Sequence, residues 1–433
     1  MMRSPSIRLW AFIFLTGIMC SCAGPPAVEE PVPKEEPEYR EVVSPLTVTP
    51  EVRVLILESG SSVRVQVKSG FFLGERETGE PLRRFEEGGN FVVRQSGNMV
   101  GIFEGQKKVH EAPIISVKPA LKENVYINGK PYRGGFLFRP TQGGIMTINL
   151  IEVDDYLRGV LPAEIGYLRP EQFEAYRVQA IASRSYALSK VQEKELELYD
   201  MKATIMDQVY RGVQGETPEA SLAVDETRGI VGIWEGNPIR AYYSACCGGH
   251  TADIRVSWPW KTPYPYLYGI RDTGEDRSKS LCRSSPHFRW RVHWSGRTLE
   301  SIIKKTLPRE LGVRPGVVGK LVDLKVLGTA PDGRVTGVEI VTDRGSHRVD
   351  GDRIRWVLLP NPGSDAILKS TLFKMSVKHA RGKVSTVNLT GGGNGHGVGL
   401  CQAGALRMAE QGYSAEEILT HYYPGVRIYR YYP

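Results

Sequence analysis

Cysteine and histidine residues in the C-terminal half of the sequence have spacings that suit metal binding or covalent pairing. Two residues separate Cys247 from His250, and Cys282 and Cys401 lie further along the chain. Zinc binds thiolate and imidazole groups, so these four residues could form one structural site. In an oxidising compartment Cys247 would instead form a disulfide with Cys282 or Cys401. The adjacent Cys246 suits neither arrangement fully, so zinc, a disulfide and free thiols all stay open.

A glycine-rich loop near the C-terminus carries one functional side chain. Residues 391–399 are mostly glycine, and His396 lies among them. The glycine spacing matches neither the dinucleotide fingerprint nor the phosphate-binding loop of nucleotide hydrolases. A backbone with few side chains can approach a ligand closely. A helix is predicted directly after the loop, over residues 400–411, and a capping box that begins at Ser414 predicts another.

A second loop is rich in aromatic residues. Residues 258–268 include Trp258, Trp260, Tyr264, Tyr266 and Tyr268. Sugar rings stack on aromatic faces, and ligand clefts are often lined by aromatic side chains. The same residues could instead pack locally beneath a proline-rich loop, and the sequence does not decide between these roles.

A buried helix is predicted to support these loops. Pro170 suits the first turn of a helix, and apolar residues recur at helical spacing as far as Val191. Small residues along this segment allow close packing. Arg184, in its middle, is either the donor of a structural ion pair or a residue that contacts ligand.

The remaining chain predicts an α+β fold. Alternating runs such as 52–57 and 63–67 indicate a β-rich N-terminal part over residues 50–150. A mixed core with a few short helices is predicted over residues 151–433. An α+β section is inserted in that core at about residues 295–375.

The first residues predict export. Residues 1–21 contain Arg3, Arg8 and an apolar run too short to span a bilayer, which is typical of a signal peptide. Ser21 precedes Cys22 in the pattern that lipoprotein signal peptidase accepts, so we expect lipidation of Cys22; Cys20, after the bulky Met19, is the weaker candidate. The alternative is a secreted protein with an ordinary signal peptide. Residues 22–49 are rich in proline and glutamate and predict an extended tether.

Composition and charge restrict the partners. The 433 residues are 24% charged and 41% hydrophobic, with 47 glycines and 28 prolines, as in ordinary globular proteins. Removing the predicted signal peptide lowers the formal net charge from +8 to +6, because that segment has two arginines and no acidic residue. This mild basicity suits an acidic or polyanionic partner. The sequence lacks the clustered basic face of a nucleic-acid-binding protein, so no nucleic-acid partner is expected.

Several motifs, taken in order, resemble the SpoIID/LytB family, which includes a sporulation lytic transglycosylase and an amidase enhancer. The similarity extends over most of residues 50–430. The motifs are YLRGVLPAEI (156–165), QAIASRSYA (179–187), QVY (208–210), YSACCGGHT (243–251), PYL (265–267), GHGVGLCQAGA (395–405) and HYYPG (421–425). Some sporulation relatives bind zinc just before the QVY motif, but residues 203–208 contain no cysteine or histidine here, so that metal site does not carry over.

The resemblance implies that Glu164 is the catalytic acid of an enzyme that cuts glycan strands between N-acetylmuramic acid and N-acetylglucosamine. A lytic transglycosylase uses the C6 hydroxyl of its own muramic acid as nucleophile, so one carboxyl can act first as acid and then as base. Apolar neighbours such as Ile165 could raise the pKa of Glu164 toward neutrality. The alternative is a structural glutamate at a turn before the helix that starts at Pro170.

Two functions therefore stay open. The first is a lipid-anchored lytic transglycosylase of the bacterial cell envelope that acts on peptidoglycan, with a preference for peptide-stripped strands. The second is a non-enzymatic glycan-binding protein that stimulates an amidase. No cofactor is required for either function, and the membrane is contacted only through the lipid anchor. The expected substrate-binding or supporting residues are Arg184, Tyr210, Trp258, Tyr266, His396 and Gln402.

Overall fold

The computed structural model describes residues 45–433 except 76–80, 275, 277, 315, 364 and 365. The predicted signal peptide, Cys22 and most of the predicted tether lie outside the described residues. Among the described residues, no helix combines the length and apolar character needed to cross a bilayer.

An eleven-stranded sheet dominates the N-terminal part of the described chain. Its strands are β1 (Glu51–Leu57), β2 (Ser62–Gly74), β3 (Arg83–Ser96), β4 (Met99–Glu104), β5 (Lys107–Ala112), β6 (Ile115–Pro119), β7 (Val125–Ile127), β8 (Lys130–Tyr132), β9 (Gly135–Thr141), β10 (Gly144–Glu152) and β11 (Met201–Lys202). The order is β11-β1-β10-β9-β6-β2-β3-β4-β5, and β7 pairs with β2 and β8. In β2, Val63, Val65 and Val67 are buried while the residues between them are exposed, so the predicted alternation fixes which face joins the core.

Two helices follow the sheet and carry the first half of the site. They are α1 (Val153–Ile165) and α2 (Phe173–Glu193). The helix predicted to start at Pro170 is present: a short 3-10 turn at Pro170–Gln172 leads directly into α2. Fourteen residues of α2, from Ala175 to Ser189, are buried, because small side chains let it pack against neighbours on all sides.

Helix α1 was not predicted from the sequence, and it replaces the turn at which the alternative, structural role would place Glu164. Pro162 lies within its last turn, where it lacks the N–H that would donate to the Arg158 carbonyl, and the helix ends at Gly166, whose φ is 81°. The negative charges of Asp154 and Asp155 in the first turn stabilise the helix through its dipole. Buried apolar residues then hold the helix on the core.

The C-terminal half adds short strands and helices around α2. They are α3 (Pro218–Glu226), β12 (Ile230–Trp234), β13 (Asn237–Pro238), β14 (Tyr243–Ser244), α4 (Ile254–Ser257), β21 (Leu400–Cys401), α7 (Gln402–Glu410), α8 (Ala415–Tyr422) and β22 (Arg427–Arg430), numbered with the inserted elements given below. The capping box predicted at Ser414 is formed, with Glu417 as its partner. Strands β14 and β21 pair in parallel, which places Ser244 opposite Cys401.

The inserted α+β section has its own hydrophobic cluster. Its elements are β15 (Trp290–Ser295), α5 (Gly296–Leu311), β16 (Leu321–Thr329), β17 (Val335–Thr342), β18 (Gly345–Asp350), α6 (Arg353–Val357), β19 (Phe373–Ala380) and β20 (Lys383–Gly391). The buried side chains of this cluster extend from Trp290 to Leu389, further in both directions than the residues 295–375 assigned from sequence. The predicted α+β fold class is confirmed.

Candidate functional site

Glu164 lies at the C-terminal end of α1, where the core opens to a cleft. It follows Val160 and Tyr156 at four-residue intervals, so all three lie on one face of the helix. Val160 and Tyr156 are buried, whereas Glu164 is half-buried. The helix therefore presents the carboxyl group from a rigid, core-anchored base.

The carboxyl group of Glu164 is held by one hydrogen bond. The backbone N–H of Val209 donates to Oε1 over 2.6 Å. Burial raises the pKa of Glu164 to about 7, and the Val209 bond opposes that shift. Among the described residues, no cation forms an ion pair with Glu164 and no donor reaches Oε2. A carboxyl group with this pKa can donate and recover a proton near neutral pH.

Glu164 lies between two adjoining cavities. One, which we call the main cleft, has a volume of about 830 Å³ and is lined by Glu164, Tyr242, Tyr243, Trp258, Lys261 and His396, among others. The other, of about 340 Å³, is lined by Glu164, Gln172 and Gln402. It shares Arg407 and Glu410 with a third, polar concavity of about 1300 Å³. Glu164 lines both of the first two cavities, and the second adjoins the third through the residues that they share.

Two glutamines fix the backbone on either side of the Glu164 carboxyl. Gln402, at the start of α7, donates from Nε2 to the backbone oxygen of Glu164 over 3.2 Å and to Oε1 of Gln179 over 3.3 Å. Gln208, next to Val209, accepts a hydrogen bond from the Tyr156 hydroxyl over 3.2 Å. The carboxyl position is thus set by segments that are far apart in sequence.

Tyr243 contributes a neutral hydroxyl near Glu164. Its OH accepts a hydrogen bond from Nε2 of Gln208 over 3.1 Å. Burial and the neighbouring Glu164 carboxyl raise the pKa of Tyr243 well above its usual value. The phenol therefore stays protonated at all physiological pH values.

His396, which lies in the glycine-rich loop, forms part of the wall of the main cleft. Its Nδ1 accepts a hydrogen bond from the Val398 N–H over 3.1 Å, and its ring also bonds to the Tyr243 backbone. Burial, followed by the charges of Arg355 and Lys261, lowers the pKa of His396 to about 3. An imidazole with this pKa is neutral near pH 7, so it supports the cleft wall and is poorly suited to donate a proton.

The aromatic loop is divided between the cleft and the core. The Trp258 ring lies 4.6 Å from His396 and 4.8 Å from Tyr242 between ring centroids, all on the cleft wall. Tyr266 is 2% exposed, and its OH accepts a hydrogen bond from the Arg240 N–H. Trp258 therefore lines the main cleft, whereas Tyr266 packs beneath the loop.

Two other predicted site residues also lie outside the cleft. Arg184 is 0% exposed and forms an ion pair with Asp154 over 2.8 Å, the structural role that the sequence left open. Tyr210 is buried, and its OH donates to Asn149 over 3.2 Å while its ring packs on Tyr156. These residues support α1 rather than face ligand.

Lys261 is a site residue that the sequence analysis did not single out. Its Nζ lies 4.0 Å from the Trp258 ring centroid and 4.5 Å from that of Tyr242. Within the described residues no carboxylate lies at ion-pair distance from Lys261, and burial, reinforced by Lys190, lowers its pKa to about 8. The sequence could have indicated Lys261 as a site residue, because it is a basic residue within the aromatic loop.

Three of the cysteines in the C-terminal half, Cys247, Cys282 and Cys401, lie close together in the protein interior. The donor atoms of Cys247, Asp272, Cys282 and Cys401 all lie within 4.8 Å of one another, and all four residues are buried. Among the described residues, no disulfide is formed. His250, expected as a ligand with the three cysteines, is not in the cluster: its Nδ1 lies 2.7 Å from the Thr251 carbonyl, and Asp272 takes its place.

Comparison with known proteins gives matches over much of this structure. A family model described as SpoIID, stage II sporulation protein, matches residues 141–234, and a domain of unknown function (DUF8618) matches residues 263–399. The first of these segments contains α1, α2 and Glu164.

Three proteins of known sequence are similar to this chain. An uncharacterized protein of Brachyspira hyodysenteriae is 28% identical over 345 residues, which cover 79% of this chain and 83% of that protein. The amidase enhancer of Bacillus subtilis is 26% identical over 298 residues, covering 64% of this chain and 40% of the enhancer. Stage II sporulation protein D of Bacillus subtilis is 23% identical over 335 residues, covering 73% of this chain and 85% of that protein.

Proposed function

Because the chain belongs to the SpoIID/LytB family, we propose that it has a cell-wall role as a peptidoglycan lytic transglycosylase. In this proposal it cleaves the bond between N-acetylmuramic acid and N-acetylglucosamine and leaves 1,6-anhydromuramic ends. The observation that carries the proposal is a glutamate with a pKa of about 7 that lines two adjoining cavities.

Glu164 would act twice in one turnover. Its protonated Oε2 first donates to the glycosidic oxygen, and the bond from that oxygen to C1 of the muramic acid breaks. The C6 hydroxyl of the same sugar attacks C1 and returns its proton to Glu164, so no water is consumed. The hydroxyl is already attached to the reacting sugar, which gives it a high effective concentration.

The other acidic residues on the main cleft are already engaged, which favours a one-carboxyl mechanism. Both oxygens of Asp207 accept hydrogen bonds, one from the Tyr186 hydroxyl and one from the Lys202 N–H. Asp352 pairs with Arg355, and Glu310 accepts from Arg309. A hydrolase would need a second free carboxylate to activate water or attack the sugar.

The preference for peptide-stripped strands rests on Lys261. Removal of the stem peptide exposes the lactyl carboxylate of each muramic acid. Lys261 offers a cation that has no acidic partner among the described residues, and its Nζ lies over the Trp258 ring on the wall of the main cleft. A peptide-bearing muramic acid has a neutral amide at that position and would gain less.

A second candidate function is supported by the similarity to the amidase enhancer. In that case the groove would bind glycan without cleaving it, and the partner would be an amidase. Both functions would place the protein outside the cytoplasmic membrane, and we propose attachment through a lipid on Cys22. Loss of palmitate incorporation in Cys22→Ala, but not in Cys20→Ala, would support that attachment.

One incubation separates the two functions. Purified protein mixed with amidase-treated peptidoglycan should release fragments with 1,6-anhydromuramic ends, identified by mass spectrometry. Reducing muramic ends would indicate a hydrolase and a missed carboxylate. No products, together with faster cleavage by an added amidase, would support the enhancer function and overturn the proposal.

A further inference from the structure

Four buried donor atoms meet where three distant segments of the chain come together. Cys247 follows β14, Cys401 ends β21, and the parallel pairing of these strands brings the two cysteines together. Asp272 and Cys282 arrive from the loop between them, joined by a hydrogen bond from the Cys282 N–H to Oδ2 of Asp272 over 3.0 Å. The fold, rather than any local motif, assembles this group.

The spacing of the donor atoms suits a tetrahedral zinc ion. All four lie within 4.8 Å of one another, and the sulfurs of Cys247 and Cys282 are 3.7 Å apart. Zinc–sulfur bonds of about 2.3 Å at tetrahedral angles place two sulfurs roughly 3.8 Å apart. A disulfide requires sulfurs about 2.05 Å apart.

The burial of the Asp272 carboxyl group is a second observation that indicates a bound cation. It is 0% exposed, yet within the described residues no lysine or arginine forms an ion pair with it. A buried carboxylate without a counter-charge is costly. The Cys247–Cys282 disulfide would leave this carboxylate without any positive partner, whereas a divalent ion would supply one.

Neighbouring groups hold the donors in place. The Tyr422 hydroxyl donates to Oδ1 of Asp272 over 2.7 Å, and the Cys247 N–H donates to the sulfur of Cys401 over 3.2 Å. Hydrogen bonds of this kind orient ligands and stabilise thiolates around zinc.

We infer that Cys247, Cys282, Cys401 and Asp272 bind one structural zinc ion. Binding replaces three S–H bonds with zinc–sulfur bonds and releases three protons, so no oxidant is needed. With four buried protein ligands, the ion has no open position for substrate, which is the mark of a structural site. Through Cys401 it would stabilise the start of α7, where Gln402 holds the backbone of Glu164.

Cys246 is the alternative fourth ligand, because its thiol also contacts Cys282 and Cys401. Asp272→Asn and Cys246→Ser therefore form a matched pair of variants. We expect Asp272→Asn to lose zinc readily to a chelator and Cys246→Ser to retain it. The opposite result would overturn the assignment of Asp272.

The decisive measurement uses the full protein, purified without added metal. We expect one equivalent of zinc by elemental analysis, the same number of alkylatable thiols with and without reductant, and thiolate-to-metal charge-transfer bands after cobalt replacement. Absence of zinc with two fewer thiols before reduction would establish a disulfide and overturn the inference. Absence of zinc with all thiols free, and no uptake of zinc or cobalt, would overturn it equally. These wild-type results decide the question even if every cysteine variant misfolds.

Discussion

The Oε1 atom of Glu164 accepts a hydrogen bond from the backbone N–H of Val209, 45 residues further along the chain, over 2.6 Å. This bond fixes one oxygen of the carboxyl group of Glu164, a residue that lines the main cleft. A backbone donor does not itself change protonation, so the orientation of the group is kept while its proton is exchanged. In the proposed mechanism, Val209 would position the carboxyl group and Glu164 would transfer the proton.

Replacement of Glu164 by glutamine is the first test of this arrangement. The amide keeps the size of the side chain and can still accept from Val209, but it cannot donate a proton usefully. We expect release of 1,6-anhydromuramic products to fall by roughly 100-fold or more, the loss typical of a missing general acid. Glycan binding, measured by co-sedimentation with peptidoglycan, should persist.

The matched control is Glu195→Gln, at an exposed position of the segment that follows α2. It should leave both product release and binding unchanged. If Glu164→Gln retains full activity in a folded protein, another group provides the acid and the assignment of Glu164 is wrong.

The pH profile follows from the raised pKa of Glu164. Burial raises this pKa to about 7, so Glu164 of the free protein is protonated below that pH, which is the form that the proposed mechanism requires. We expect kcat/KM to fall as the pH rises through about 7, because the acid form is lost. The same shift favours the protonated folded state, so its contribution to stability is present at low pH and is lost as the pH rises through 7. Product assays across pH 5–9 would measure this fall in kcat/KM. A profile that stays flat over that range would contradict the prediction.

The spacing of apolar residues along the sequence predicted the strands and helices whose formation depends on that spacing. The alternation of Val63, Val65 and Val67 predicted β2, and the helical spacing after Pro170 predicted α2. Helix α1 was missed because Gly159 and Pro162 weaken helix propensity, whereas burial of its apolar face outweighs that cost.

The site was predictable only where a motif marks it. Glu164, Trp258, His396 and Gln402 come from family motifs or distinctive loops and line the cavities around Glu164. Asp272 has no motif: chain topology alone brings it to the cysteines in place of His250. Arg184 could not be assigned from sequence because its role depends on Asp154, 30 residues away.

Loss of the Arg184 charge should reduce stability rather than ligand affinity. In Arg184→Met, Asp154 would stay buried, and within the described residues only the Tyr432 hydroxyl would remain as a side-chain donor to it. We expect the free energy of unfolding in urea to fall by about 3–5 kcal/mol. Arg177→Met, on the same helix but with partly exposed ion pairs, should cost about 1 kcal/mol or less. Weaker glycan binding by a fully stable Arg184→Met protein would point to ligand contact instead.

Lys261 provides a test of substrate preference that is independent of the acid. Its Nζ donates to the Tyr242 hydroxyl over 3.1 Å and has further donors free for a ligand. Lys261→Arg keeps the positive charge, whereas Lys261→Gln removes it. Lys374→Gln, at an exposed position of β19, removes a positive charge away from the main cleft and is the matched control.

We expect Lys261→Gln to weaken binding to peptide-free glycan strands by roughly 10- to 100-fold, the effect of losing a hydrogen bond to a charged group. Binding to strands that still carry stem peptides should change little, because their lactyl group is an amide. Lys261→Arg should retain most of the preference, and Lys374→Gln all of it. Affinities for the two kinds of strand, measured by calorimetry with the Glu164→Gln protein to prevent cleavage, give the comparison. An equal loss for both kinds would mean that Lys261 shapes the cleft through Trp258 and Tyr242 rather than by recognising the carboxylate.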